Sequence, residues 1–406
     1  MNSNIRLRLS TLMFLEFFIW GCWLVPMYKL LVKLDFADIQ IANIYSTYAI
    51  AAMVSPFFVG MIADRFFPTQ KVLATLHIVG GVLMFLVANT TEPGPFFWIL
   101  LGHTLCYMPT LALANSLSFE HVNNPEKDFP SIRVLGTIGW IAAGFAIGYM
   151  PTTFTGGNPV AETGLPFQMA GVVSILLGAY CMTLPNTPPK SKGQKVTVSD
   201  VLGLDALSLL KEPSFAIFVI GSFLICIPLA FYYQSANGYV AAMGMENSEA
   251  KMAYGQISEI VFMLLLPLFL VRLGVKKTLI LGMACWVARY VLFAYGQTNM
   301  TFLLIAIILH GICYDFFFLT GQLYVDRKAP EKIRASAQGF ITFVTLGAGL
   351  YVGTIVNGLV KQHYTVENVA DWQAIWMAPA YMAGIVLLAF AFFFKEPKKE
   401  NLQKEG

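Results

Sequence analysis

Long apolar stretches recur along this chain, separated by short charged or Pro/Gly-rich segments. They lack the strict two-residue alternation of membrane β-strands, and each is long enough to cross a bilayer as an α-helix. An α-helix satisfies its own backbone hydrogen bonds in lipid, so the sequence predicts an all-α membrane protein. The pattern predicts twelve helices, with approximate bounds 8–33, 39–63, 71–89, 95–119, 131–150, 167–184, 214–241, 250–271, 276–296, 301–325, 335–361 and 372–394.

The longest polar stretch, 185–212, divides the predicted helices into two sets of six. We therefore predict an N-terminal six-helix bundle over 1–184, a cytoplasmic linker over 185–212, and a C-terminal six-helix bundle with a short cytoplasmic tail over 213–406. Two pseudo-symmetric six-helix bundles related by an axis along the membrane normal form the major facilitator fold.

Composition and charge agree with a membrane location. The chain is 57% hydrophobic and only 12% charged, which excludes a soluble protein of 406 residues. With the N-terminus inside, 20 of the 26 Lys and Arg residues fall on the cytoplasmic side, so both termini are predicted to be cytoplasmic. The remaining six are four lysines at the outer helix ends (Lys29, Lys33, Lys251, Lys361) and two arginines inside helices (Arg133, Arg289).

The loop after the second predicted helix reads "GMIADRFFPTQK", 60–71. It resembles the signature of the major facilitator superfamily, in which a small residue precedes Ala-Asp-Arg and a base follows. The resemblance implies that Gly60, Asp64 and Arg65 form a conformational latch on the cytoplasmic side. Physically, Gly60 permits close helix packing and Asp64 can cap a helix or pair across a moving contact. An ordinary charged turn is the alternative.

Among the ionisable residues inside predicted helices, four are the most informative: Glu16, Arg133, Glu259 and Asp315. Each costs roughly 2.5 to 3.5 kcal/mol at mid-membrane, so we expect each to face a hydrated cavity or a partner. A structural ion pair between Arg133 and one of the acids remains an alternative. His77 and His103, like Arg289, are interpreted as packing or structural residues rather than ligands.

Two helices present polar faces that suit a planar polar ligand. Arg133, Thr137 and Trp140 follow at i, i+4 and i+7, so a guanidinium, a hydroxyl and an aromatic ring share one side of a helix. Gln256 and Glu259 at i and i+3 place an amide beside a carboxylate. Together they predict hydroxyl-binding groups beside a stacking surface.

The tenth predicted helix adds His310 and Tyr314 on one face, with Asp315 beside them. These supply a second aromatic surface and a protonatable acid. No metal-ligand spacing, phosphate loop or nucleophile elbow is visible in the sequence, so we expect no catalytic residues, no metal and no cofactor.

Six segments resemble the bacterial nucleoside:proton symporter family of the major facilitator superfamily, which includes xanthosine permeases. They are "RVLGTIGW" (133–140), "GLDALSLLK" (203–211), "GQISEIVF" (255–262), "ARYVLFAYG" (288–296), "YDFFFLTG" (314–321) and "IRASAQG" (333–339). Carried over by motif, the resemblance implies a nucleoside site formed by Arg133, Thr137, Trp140, Gln256, Glu259, Tyr314 and Asp315, with His310 where the family tends to have another aromatic.

The chain departs from this family in two places. The family contributes amides from the seventh helix, whereas the matching positions here are Ala230 and Tyr233, with Gln234 and Asn237 slightly later as the candidate ligands. Glu16 stands where an amide is more usual. It could join Asp315 and Glu259 in proton coupling or simply pair with a buried base.

The resemblance implies a secondary transporter that imports nucleosides by proton symport through alternating access, in the bacterial inner membrane. It is not expected to be an enzyme. Its predicted partners are a nucleoside, a proton and the lipid bilayer, with no nucleic acid, and we expect a monomer. The alternatives are a carrier of the same fold for a sugar or drug-like metabolite and, more remotely, a non-transporting receptor or membrane enzyme.

Overall fold

The computed structural model describes residues 3–123, 125–189, 204–367 and 369–395, and helices dominate them. In chain order the α-helices are α1 (Ser3–Leu24), α2 (Met27–Lys33), α3 (Asp38–Arg65), α4 (Thr69–Ala88), α5 (Pro93–His121), α6 (Pro125–Gly148), α7 (Leu165–Cys181), α8 (Pro213–Ala242), α9 (Ser248–Tyr295), α10 (Met300–Ile308), α11 (His310–Tyr314), α12 (Thr320–Lys328), α13 (Arg334–Thr342), α14 (Leu350–His363) and α15 (Trp372–Phe393).

The described residues contain nine helical segments long and apolar enough to cross a membrane, or ten if a bent pair ending in α7 is one span. One of the nine, Ser248–Thr298, covers two of the predicted helices. They meet at Gly274, whose φ of 74° and ψ of 178° interrupt α9 and require a residue without a β-carbon. An all-α membrane protein is confirmed, and the count of twelve helices stays a prediction.

Several spans contain local irregularities. The predicted first helix is interrupted after Leu24, and α2 starts at Met27. Two π-helical segments, Asp315–Leu319 and Phe343–Gly349, lie between α-helices. Such π-bulges are rare and often mark functional sites, and the first of them begins at Asp315. A two-stranded antiparallel hairpin pairs β1 (Thr365–Val366) with β2 (Val369–Ala370).

The chain forms two compact units. Unit 1 contains Met1–Val196, Ala230–Gln256 and Thr354–His363, and unit 2 contains Thr197–Leu229, Ile257–Gly353 and Tyr364–Gly406. Unit 1 therefore combines α1–α7 with segments of α8, α9 and α14. The division into two six-helix bundles stays a prediction.

Glycines bring the helices of unit 1 close together. A β-carbon on Gly81 of α4 would lie 2.8 Å from the carbonyl oxygen of Gly171 of α7, and one on Gly171 would lie 2.9 Å from the carbonyl oxygen of Gly81. On the α1–α6 contact, a β-carbon on Gly139 would lie 2.1 Å from the carbonyl oxygen of Phe14. Membrane helices commonly associate through small residues of this kind, because van der Waals packing drives their association.

Gly139→Ala should destabilise the protein by about 1 to 3 kcal/mol, the usual cost of overpacking a well-packed interior. The added methyl group would overlap backbone that cannot rotate away. Thermal unfolding in detergent measures the effect. Gly384→Ala in α15 is the matched control, because a β-carbon there meets nothing within 4 Å. Equal melting temperatures for the two variants would contradict the packing assignment.

Unit 2 has an aromatic core. Trp286 of α9 packs against Phe317 with ring centroids 5.6 Å apart, and Phe218 of α8 contacts Tyr324 at 4.9 Å. Gly311 of α11 lies against α9 so closely that a β-carbon would be 2.4 Å from the carbonyl carbon of Ser258. This contact fixes α11 beside the part of α9 that carries Glu259.

Two predictions fall outside the described parts. Half of the predicted linker, 190–203, is not among the described residues. The backbone of α3 includes Gly60, Asp64 and Arg65, but their side chains lie outside the described set. The cytoplasmic latch therefore stays a prediction.

Candidate functional site

The predicted polar face of α6 meets an aromatic stretch of α1. The Arg133 guanidinium lies over the Phe17 ring, with its Cζ 4.2 Å from the ring centroid, a cation–π geometry. Thr137 is buried one turn further on. The Trp140 ring meets the edge of Trp20 with centroids 5.3 Å apart. Arg133 and Trp140 therefore belong to the α1–α6 contact of unit 1.

Three predicted ligands line one pocket in unit 1. The pocket has a free volume of about 20 Å³ and is lined by Leu24, Val25, Trp140, Tyr232, Tyr233, Asn237, Met252 and Gln256. This is room for about one water molecule, so binding of a nucleoside requires the pocket to widen. Trp140, Asn237 and Gln256 supply one aromatic plane and two amides. The pocket thus offers stacking surfaces and both hydrogen-bond donors and acceptors.

The α8 amides have unused acceptor oxygens. The Asn237 Nδ2 donates to the Val25 carbonyl oxygen and to Glu249 Oε1, both at 3.0 Å. Within the described residues, Asn237 Oδ1 and Gln234 Oε1 are buried and accept no hydrogen bond. A buried acceptor without a hydrogen-bond donor lowers the stability of the folded protein. A ligand hydroxyl or amino group that donates to these oxygens would therefore be stabilising.

Glu16 lies in a fully buried polar cluster of unit 1. Its Oε2 is 2.9 Å from His77 Nε2, and Thr110 Oγ1 donates to its Oε1 at 2.5 Å. The Ser174 hydroxyl donates to the His77 carbonyl oxygen at 2.8 Å. Four helices, α1, α4, α5 and α7, meet here. The Tyr107 hydroxyl also donates to the Glu16 carbonyl oxygen at 2.5 Å, and the Tyr107 ring lies 5.9 Å from Trp20.

In unit 2, His310 lies between an arginine and a glutamate. Arg289 Nη1 is 3.2 Å from His310 Nδ1, and His310 Nε2 is 3.9 Å from Glu259 Oε2. The structural interpretation of Arg289 agrees with this contact. His310 is buried, whereas Glu259 is partly exposed. The Tyr314 ring is 5.6 Å from the His310 ring, so the predicted aromatic pair of this face is present.

Asp315 stands at the start of the π-helical segment and is only 3% exposed. Within the described residues its Oδ2 accepts no hydrogen bond, and Glu259 is close enough to interact with it electrostatically. Two neighbouring carboxyl groups do not ionise together cheaply. A negative charge on Asp315 is therefore costly, first because the side chain is buried and second because of the neighbouring acid.

A second pocket, with a free volume of about 40 Å³, lies in unit 2. Tyr314 is the predicted site residue that lines it, together with Gln322, Ser222, Thr345 and other residues. The described residues contain no cluster of three or more His, Cys, Asp or Glu side chains that could hold a metal ion.

Sequence reasoning missed some residues of the unit 1 pocket. Tyr232, Val25 and Met252 line it but carry no charge or motif that separates them from ordinary apolar helix positions. The consecutive aromatics at 231–233 are the one signal that could have indicated an aromatic wall. His77, interpreted as a packing residue, proves to be the hydrogen-bond partner of Glu16.

Comparisons with known proteins identify the family of the chain. The family model described as Nucleoside H+ symporter matches residues 3–399. The chain is 44% identical to a putative nucleoside transporter, YegT of Escherichia coli, over 97% of this chain and 94% of that protein. It is 32% identical to the xanthosine permease of Escherichia coli over 98% of both chains. The crystal structure of the nucleoside transporter NupG superposes with a TM-score of 0.85 at 32% identity, covering 98% of this chain and 100% of that chain.

Proposed function

The chain belongs to the nucleoside H+ symporter family, and from this premise we propose how its residues carry a nucleoside and a proton. It is a membrane transporter of that family, whose matched relatives are nucleoside permeases rather than enzymes. Import by alternating access, with both termini in the cytoplasm, is part of the proposal.

The nucleoside binds in the unit 1 pocket. The observation that carries this assignment is that Trp140, Asn237 and Gln256, from three helices, line the same cavity. The base stacks on the aromatic lining, since aromatic side chains bind any base through its π-face. The ribose hydroxyls bond to the amides of Asn237 and Gln256, whose side chains both donate and accept. Arg133 and Thr137 line the α6 face one to two turns away along the helix.

The coupled proton binds at Asp315, with Glu259 as its electrostatic neighbour. An ionised carboxylate oxygen buried without a partner is costly, so Asp315 favours a bound proton while it is enclosed. Contact with water in another conformation would allow the proton to leave. An intramembrane acid of this kind is the usual element of a proton relay.

Proton entry supplies enough energy for concentrative uptake. One proton moving down 100 mV gives about 2.3 kcal/mol, which corresponds to roughly fortyfold accumulation of a neutral solute. Labelled-uridine uptake into proteoliposomes with an imposed potential tests the proposed function. Uridine should accumulate and unlabelled nucleosides should compete. Competition by sugars but not by nucleosides would favour the alternative of a carrier for another polar solute.

Trp140→Ala should weaken nucleoside binding by about 1 to 3 kcal/mol, the usual loss when an aromatic stacking partner of a base is removed. Trp140→Phe should keep most of the affinity. Thermal-shift titration with uridine on purified protein measures both. Trp98→Ala is the matched control, because Trp98 is 69% exposed and lies outside the pocket. Equal uridine affinity in Trp140→Ala and the parent would remove Trp140 from the site.

A further inference from the structure

The short helix α2 connects two charge clusters in unit 1. Lys361 of α14 lies 2.6 Å from Asp38 Oδ1 and donates to the Tyr28 hydroxyl. The next residue of α2 is Lys29, and its Nζ lies 2.6 Å from Oε1 of Glu249 at the start of α9. We call these five residues the outer latch, because the predicted topology puts Lys29 and Lys361 at the outer helix ends.

The outer latch is largely sealed from solvent. Lys361 is 8% exposed and Glu249 is 5% exposed. A buried ion pair is tolerated only with good geometry and further hydrogen bonds. Both pairs have them, since Lys361 also contacts Tyr28 and the Lys29 Nζ donates to Ser248 Oγ at 2.8 Å.

The backbone around the outer latch is fitted equally closely. A β-carbon on Gly238 of α8 would lie 2.1 Å from the Tyr28 ring. One on Gly358 of α14 would lie 2.5 Å from the Ala42 β-carbon of α3. At this end, α2 therefore packs closely against α8, and α3 packs closely against α14.

Asn237 joins the outer latch to the nucleoside pocket. It lines the pocket, and its Nδ2 donates both to Glu249 and to the Val25 carbonyl oxygen beside α2. Val25 lines the same pocket. A ligand oxygen that accepts from Asn237 Nδ2 must therefore compete with the bond that this nitrogen donates to Glu249.

We propose that the outer latch is the gate on the outer side, and that Asn237 is a positioning residue through which a bound nucleoside weakens it. The inference rests on the proposed function. For a nucleoside to enter from outside, Lys29 must leave Glu249 and Lys361 must leave Asp38. A nucleoside oxygen that accepts from Asn237 Nδ2 takes the bond otherwise donated to Glu249, and this lowers the cost of that opening.

A buried reporter tests the gate. Ser248→Cys replaces a buried hydroxyl that contacts Lys29 of the outer latch by a thiol of similar shape, and an impermeant maleimide added outside should label it only when the latch opens. The chain without this substitution is the blank for its own cysteines. Adding Lys361→Met should speed labelling about tenfold, the effect of losing a pair worth 1.4 kcal/mol. The swap Asp38→Lys with Lys361→Asp should slow it again.

The control for Lys361→Met is Lys33→Met. It removes an exposed lysine from α2, the helix that carries Lys29, and should leave labelling unchanged. If Lys361→Met labels at the rate of the reporter alone, or if the swap labels as fast as Lys361→Met, the outer latch is not a gate.

The role of Asn237 has its own readout. Uridine at a saturating concentration should speed labelling of the reporter severalfold. Asn237→Ala, saturated with uridine according to its own affinity measured by thermal shift, should lose that acceleration while the protein still elutes as a folded species. If uridine binds, by thermal shift, yet never changes labelling, the coupling is wrong and the proposed function survives. If uridine does not bind at all, both the proposed function and the coupling through Asn237 are wrong. The labelling rate of Lys361→Met still decides whether the outer latch is a gate.

Discussion

Replacing Asp315 by Asn is expected to abolish accumulation of nucleoside against a gradient while leaving nucleoside exchange across the membrane intact. Asn resembles the protonated carboxyl group in shape and in having no charge, but it cannot release a proton. The roughly fortyfold accumulation available from one proton at 100 mV should therefore fall to simple equilibration. Labelled-uridine uptake and uridine counterflow in the same proteoliposomes measure the two activities.

Asp326→Asn is the matched control, because it makes the same chemical change at a side chain that is 51% exposed. It should accumulate uridine like the parent. Full accumulation by Asp315→Asn would show that another group, with Glu259 and Glu16 the remaining candidates, carries the proton.

Glu16→Leu should destabilise the protein by about 3 to 5 kcal/mol, the cost of removing one partner from a buried polar pair. The substitution leaves His77 and Thr110 without the carboxylate that they contact in a fully buried cluster. Because the cluster joins four helices of unit 1, the whole unit should lose stability. Denaturant unfolding of the purified protein measures the change.

Two further variants sharpen the Glu16 test. Glu16→Leu with His77→Leu should cost less than the sum of the single changes, because neither partner is left unpaired. Glu212→Leu removes a partner from the Lys328–Glu212 pair, where Glu212 is 42% exposed, and should cost at most about 1 kcal/mol. Similar losses for Glu16→Leu and Glu212→Leu would mean that the buried cluster contributes no more than a surface pair.

The helices were predictable because lipid requires long apolar runs, and these runs are visible in the sequence. The break between α1 and α2 was not, although Pro26 lies there. Membrane helices tolerate proline, since neighbouring groups can satisfy the freed backbone. Several prolines lie inside the described helices, among them Pro109, Pro130, Pro228, Pro267 and Pro379. A proline alone therefore does not indicate where a span is interrupted.

The sequence predicts which site residues share a face of one helix, but it does not predict which residues of different helices meet. Helical spacing predicts Arg133, Thr137 and Trp140 on one face, and in the structure Arg133 and Trp140 both contact aromatic residues of α1. The partner of Glu16 lies 61 residues away in the chain, and no periodicity connects them. Such contacts depend on which helices pack together, which is decided by small residues such as Gly139 and Gly311 whose role a single sequence does not reveal.

The most direct test of the central claim is a crystal structure with 5-bromouridine, in which the anomalous signal of bromine locates the base. The account predicts a bromine peak in the unit 1 pocket, beside the Trp140 indole and within reach of Gln256 and Asn237. A peak in the unit 2 pocket, beside Tyr314 and Gln322, would contradict it.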